Sequence, residues 1–443
     1  MRKNNAPLSS SAGVSRRSFI RTTAALPLLS ALHLDALTGP RDGRSPVFRV
    51  DHCPVHDGQL RHVGVDALLH QLSMHGNKFY KSRKATALSG PGGLIAPEDV
   101  VILKVNAQWK ARGGTNTDLL CGLIHRILLH PDGFKGEVVI FENGQNRPAT
   151  FDGMHNDTNF SEYKPFPELV GKVIVNAEQQ GVTTIDHLVA TVFAGKPVSS
   201  FLMDPHTGTM IADDDHTTNG YRRIGSPGTP CISYPCFTTA RGNRIELKEG
   251  RWTGSAYAQN LKLINCAVLK DHSGDIGMTG ALKIVYGTLS MKNGTTARRH
   301  YQDLGSQCAR MWTEVRVPDL NILDCLWVSF GATTVNGQTV SGCVGYPPHL
   351  TSRENVLLAG HDPVAIDYHA TKHILLPLGG ENALNHDPDH NPRLVSVYQQ
   401  AQETLNAAGG IHGRKANNGD DNIDLIATSA LNTEAVKAWA ARG

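Results

Sequence analysis

The sequence is poor in the features that make assignment easy. No Cys-x-x-Cys pair or ferredoxin-type run occurs among the eight cysteines, Cys53, Cys121, Cys231, Cys236, Cys266, Cys308, Cys325 and Cys343, so an iron-sulfur cluster is not expected. The Walker and dinucleotide-binding glycine spacings are missing, which argues against nucleotide binding. There is no Gly-x-Ser-x-Gly elbow and no cysteine in an activated motif, so a hydrolase triad is disfavoured. No apolar run approaches the roughly 20 residues that a helix needs to cross a bilayer.

An excess of basic charge is also absent once the first segment is set aside. Polar and basic residues run through Arg16 and Arg17, an apolar stretch follows from Ala24 to Leu34, and a turn-prone segment ends near Pro40. That order is a signal peptide, and paired arginines before Phe19 and Ile20 are the mark read by the twin-arginine translocase. The expected signal is residues 1–38, cut between Ala31 and Thr38, and it implies export to the periplasm or beyond. The formal net charge of +3 depends on it: five basic residues and one acidic residue lie in 1–38, which leaves 38 Lys plus Arg against 39 Asp plus Glu, or −1. A basic surface for nucleic acid or anionic lipid is therefore not expected.

What is present is an alternation of strand and helix patterns. The β-branched run at Val100 to Lys104 predicts a buried strand, and Gly113 and Gly114 lead to a cap at Thr115 or Asn116. Apolar pairs at Leu119/Leu120, Leu123/Ile124 and Ile127/Leu128 have helical spacing, and Glu137 to Glu142 predicts the next strand. Such a unit places its two strands parallel. Further strands are expected at Lys172 to Asn176, His187 to Phe193, Leu263 to Lys270, Asp319 to Trp327, Glu354 to Leu358 and Ile423 to Thr428. Helices are expected at Gly280 to Leu289, Pro363 to about Leu375, Pro392 to Ala408 and the carboxyl terminus. The class is a layered α/β fold, a mostly parallel sheet with helices on both faces plus an inserted irregular or α+β region. Residues 39–150 make a first α/β segment, 151–255 an insertion or cap, and 256–443 the segment that completes the core.

In open parallel sheets ligands sit beyond the carboxyl ends of the strands. The expected strands end in Lys104 and Asn106, in Glu142 and Asn143, in Lys270, Asp271 and His272, and in His361 and Asp362. Gathered on one edge, these cations, carboxylates and imidazoles would suit a small anionic ligand or a metal. Lys283 lies on the helix after the Gly274/Gly277 loop and points back at the same site or into solvent. Asp362 before Pro363 also reads as a helix cap. His369 and His373 stand four apart, the spacing that lets two imidazoles share a metal. The loops Asp213-Asp-Asp-His216 and His386-Asp-Pro-Asp-His390 read as surface turns, and Cys231 and Cys236, around Tyr234 and Pro235, as a pair able to close a small disulfide loop.

The segments Leu103 to Asn106 with Gly113 to Asn116, Val268 to His272 with Leu282 and Lys283, and Leu358 to Asp367 resemble the domain-of-unknown-function family numbered 362 over roughly residues 98 to 410, interrupted from about 150 to 255. Members commonly carry Lys-Pro-Asn in place of Lys104-Val105-Asn106, and Lys-Asn in place of Lys283-Ile284. A more distant likeness is to the nickel-pincer lactate racemases. It implies His272 or His361 as acid/base or metal ligand, Lys104 and Lys270 holding a substrate carboxylate, and Glu142 or Asp362 orienting an imidazole. It also implies a metal-containing cofactor. The expectation is an enzyme for a small anionic or hydroxylated substrate, the alternative a periplasmic solute- or metal-binding protein.

Overall fold

The computed structural model describes residues 43–53, 60–107, 113–143, 185, 188–203, 209–225, 231–272, 277–291, 303–335, 338–341 and 351–431. The signal segment, the expected strand at 172–176 and the carboxyl-terminal helix lie outside them. The α/β layering expected from the sequence is present. Nine strands form the main sheet: β1 (Ser45–Asp51), β2 (Val100–Val105), β3 (Glu137–Glu142), β4 (Val198–Leu202), β5 (Leu261–His272), β6 (Gly277–Thr279), β7 (Leu320–Ser329), β8 (Thr351–Gly360) and β9 (Ile423–Ser429). Their order is β9-β1-β8-β7-β5-β2-β3-β4, with β6 folded back on the end of β5.

Strands β7, β5, β2, β3 and β4 are parallel neighbours. Every residue of β2 and β3 is buried, as expected for strands covered on both faces. Val101, Leu103 and Val105 enter one core with α1 (Val63–Met74) and α2 (Thr117–Leu128). Val100 and Ile102 enter the other, with α3 (Leu304–Arg310), α4 (Pro363–Ala370) and α5 (Pro392–Ala407). Helix α2 forms where its spacing predicted. Asn116 caps it by accepting from the amides of Asp118 and Leu119, and Leu119, Leu120, Leu123, Ile124 and Ile127 are fully buried. Each such side chain contributes about 1.5–3 kcal/mol, so burial outweighs the cap, worth about 1 kcal/mol.

The two faces follow from chain direction. From β2 the chain crosses through α2 to β3 on one side, and from β5 it crosses through α3 to β7 on the other. Right-handed crossovers running in opposite directions need helices on opposite faces, and α2 and α3 belong to opposite cores. The direction of winding thus reverses between β2 and β5.

Several expectations change. Residues 151–255, expected as an insertion or cap, contribute β4 to the main sheet, and a five-stranded antiparallel sheet within 220–258 sends Tyr221, Ile232, Phe237 and Ile245 into the core on the α3 side. Leu188–Val192 is a π-helical turn, not a strand, and the expected helix from Gly280 is a 3-10 segment, Lys283–Thr288. Strand β1 and helix α1 were not foreseen. Cys236 lies within the strand Ile232–Thr238 and Cys231 directly precedes it, both with free thiols. Four residues lie between them along the extended chain, a span of about 16 Å, too far for a disulfide. No described helix is long and apolar enough to cross a membrane.

Candidate functional site

The reversal between β2 and β5 falls at their carboxyl ends, where Lys104 is the penultimate residue of one strand with Asn106 directly after it, and Lys270, Asp271 and His272 finish the other. The floor of this edge is an ion pair. Lys104 Nζ donates to Glu142 Oε2 at 2.6 Å and to the Val105 carbonyl at 2.7 Å, with both charged side chains at most 2% exposed. Burial pulls the Lys104 pKa down, and the Glu142 carboxylate opposes that pull. Gly287 of the 3-10 segment closes over the pair, and a Cβ there would fall on Glu142 Oε1 and Lys104 Nζ, so the close approach requires glycine. Asn143 secures the lid by donating its side-chain amide to the carbonyls of Tyr286 (3.2 Å) and Leu289 (3.0 Å).

A second layer lies further along β5. Asn106 Oδ1 accepts from the Val268 amide at 3.0 Å, its own amide donates to Thr115 Oγ1 at 2.9 Å, and that hydroxyl donates to the Cys266 carbonyl at 2.6 Å. Asn106 therefore stitches β2 to β5 next to the register shift between Val268 and Lys270. Lys270, buried, donates to the Gly113 carbonyl, and His272 at the tip is partly exposed. Asp324 of β7 accepts from the amides of Asn116 (2.8 Å) and Leu326 (3.0 Å), while burial pushes its pKa up to about 6.

Three residues of this edge were given no such role by sequence reasoning. His386 is fully buried; its Nδ1 is 3.1 Å from the Gly277 carbonyl, to which it donates, and its Nε2 faces Asp271 Oδ1 at 3.6 Å. It belongs to the His-Asp-Pro-Asp-His loop read as a surface turn; His390 of the same loop does stay exposed. Asp367 accepts from the amides of Ala281 (2.6 Å) and Leu282 (2.8 Å), and its burial raises its pKa to about 7 against those bonds. It lies against Lys283, Cys308, Leu282 and Tyr398 around a small cavity. Lys283 thus points inward. Asp324 is the third. The signal that marks Asp367 is its place at the end of the Leu358 to Asp367 motif; His386 and Asp324 had none.

His361 and Asp362 are not at this edge. Strand β8 runs antiparallel to β7, pairing Gly360 with Asn321, whereas Lys270 pairs with Ser329. Eight residues of β7 separate the two positions, about 25 Å. The expectation of one shared edge is therefore corrected, and with it His272 and His361 as a joint metal pair. Asp362 caps α4, accepting from the amides of Val364 and Ala365, and also holds Ser45 Oγ (2.6 Å) and the Asn417 amide (2.7 Å). His361 lines a cleft with Leu69, Leu72, Asn77, Lys78 and Phe79, its Nε2 3.3 Å from Asn77 Oδ1. Burial, and after it His412 and Arg414, lowers its pKa to about 4. Among the described residues, three donors near enough to share an ion occur elsewhere, at His369, His373 and Asp420.

The fold and edge define a doubly wound α/β protein with polar and charged residues gathered at its winding reversal. Within that class, residues 217–372 match the family described as Domain of unknown function (DUF362). The matched stretch carries Lys270, Asp271, His272, Lys283, His361, Asp362 and Asp367; Lys104, Asn106 and Glu142 precede it. No curated protein and no solved structure matches the chain.

Proposed function

We propose that this chain is an exported enzyme that binds a small anionic or hydroxylated molecule beyond the carboxyl ends of β2 and β5. The observation that carries the proposal is the gathering of Lys104, Asn106, Lys270, Asp271 and His272 on two parallel neighbours at the winding reversal. His272, the partly exposed imidazole, is the group placed to exchange a proton with a ligand. Lys270 supplies positive charge beside it, and the buried Lys104–Glu142 pair positions the floor without touching the ligand. The distant likeness to nickel-pincer lactate racemases favours proton transfer next to a carboxylate. Of the two imidazoles that likeness offered as alternatives, His361 lies on the opposite edge, which leaves His272 for this role.

The test is a screen of 2-hydroxy and 2-oxo acids with the full chain, reading ligand-induced stabilisation and, by proton NMR, exchange of the carbon-bound hydrogen with solvent. Exchange lost in His272→Ala, with binding retained, supports the enzyme. Tight binding with no exchange for any ligand returns the chain to a solute-binding role. Equal exchange in both proteins removes His272 from the mechanism. Export rests on Arg16 and Arg17: replacing both with Lys should retain the protein in the cytoplasm, and unchanged export overturns that part.

A further inference from the structure

We infer that His369, His373 and Asp420 form a binding site for a divalent transition-metal ion, separate from the strand-end site and independent of the reading given for it. The two histidines share a face of one helix. Helix α4 widens into a π-helical turn at Thr371–Leu375, and the imidazole rings lie 4.7 Å apart with 36° between their planes. Such turns recur at functional sites. The third donor arrives from 47 residues on: Asp420, just ahead of β9, places Oδ1 2.8 Å from His373 Nε2. One donor atom from each residue falls in a set spanning no more than 4.8 Å.

Zinc binds such donors at about 2.0–2.1 Å, which sets tetrahedral donors about 3.4 Å apart. Closing the set needs about 1 Å of movement, and His373 and Asp420 are exposed enough to supply it. His369 is the buried anchor, at 3% exposure. The neighbouring cations are already answered. Arg49, 3.4 Å from His369 Nε2, is paired with Asp51 at 2.8 Å, and Lys372 lies between Asp389 (2.7 Å) and Asp420 Oδ2 (2.9 Å). The two cations and the three carboxylates Asp51, Asp389 and Asp420 leave one net negative charge for a divalent cation. Two imidazoles, one carboxylate and an open fourth position suit zinc or cobalt better than the all-oxygen preference of magnesium or calcium.

The test uses the full chain, stripped with a chelator and dialysed, then titrated with Zn²⁺ by calorimetry and with Co²⁺ by visible absorption. One equivalent should bind, with the intense Co²⁺ bands of a four-coordinate site. His373→Ala and Asp420→Asn should each weaken binding by about tenfold or more, and His390→Ala, an exposed histidine of the nearby loop, should leave it unchanged. Circular dichroism and urea midpoints confirm that these surface variants stay folded. The inference is overturned if the chain binds no Zn²⁺ at millimolar concentration, or if His373→Ala and Asp420→Asn bind it as tightly as the unaltered chain.

Discussion

Replacing Glu142 by Gln leaves the Lys104 ammonium as an unopposed charge in the interior. The lysine side chain is 1% exposed and that of Glu142 2%, so water cannot take over the lost partner. Removing one member of a buried ion pair costs about 3–5 kcal/mol, because the survivor keeps its desolvation penalty and loses its attraction. Glutamine still offers Lys104 an acceptor, which places the expected loss near the lower end, about 3 kcal/mol. Lys104→Met strands the carboxylate instead and should cost as much or more. The double variant removes both charges, and replacing a buried pair by uncharged groups is often neutral; it should fall within about 1–2 kcal/mol of the original. The coupling energy of the cycle is then about 3 kcal/mol or larger. Urea unfolding of the four proteins, followed by tryptophan fluorescence and circular dichroism together, measures it. Single variants that each lose under about 1 kcal/mol, or losses that simply add in the double variant, would refute the reasoning. A stable double variant that no longer binds ligand would show that the pair serves the site and not the fold.

Gly287→Ala places a methyl group on that same pair and should cost about 1–3 kcal/mol by overpacking, read as a lower urea midpoint. His361, with its folded pKa lowered to about 4, is neutral in the fold while the unfolded chain takes up its proton near 6.5. Its contribution is therefore present above about pH 6.5 and lost as the pH falls toward 4, about 3 kcal/mol in all, and His361→Asn should become more stable relative to the unaltered protein on acidification. Asp367 has the opposite sign: with its pKa raised to about 7, the fold holds a proton that the unfolded chain releases near 4, so stability falls as the pH rises between those values. Asp367→Asn should gain on the unaltered protein by up to about 4 kcal/mol between pH 4 and 8, and urea midpoints at both pH values that move in parallel would refute it. Alkylation of the unfolded, unreduced protein should label both Cys231 and Cys236; a mass that shows them linked would contradict their placement along one strand.

Much of this protein is written locally in its sequence. The β2-α2-β3 unit was legible because an unbroken β-branched run, an Asn cap and apolar pairs at helical spacing each act within a few residues. Asp362 before Pro363 is likewise a cap, and the bonds to Val364 and Ala365 are local. Tertiary structure decided what depends on pairing. A strand sequence carries no direction, so nothing in Val356 to Gly360 tells whether β8 runs with β7 or against it. Its reversal sends His361 and Asp362 to the edge opposite Lys104, Lys270 and His272. The same limit hid His386 and Asp420, whose neighbours come from distant segments: one histidine of a polar loop is buried against β5 and β6, and one residue before β9 meets two histidines of a helix. The apolar pattern determined which residues enter the core. Hydrogen-bonded pairing between remote strands determined which charged groups meet at its edges, because that choice is made by contacts absent from any single stretch of chain.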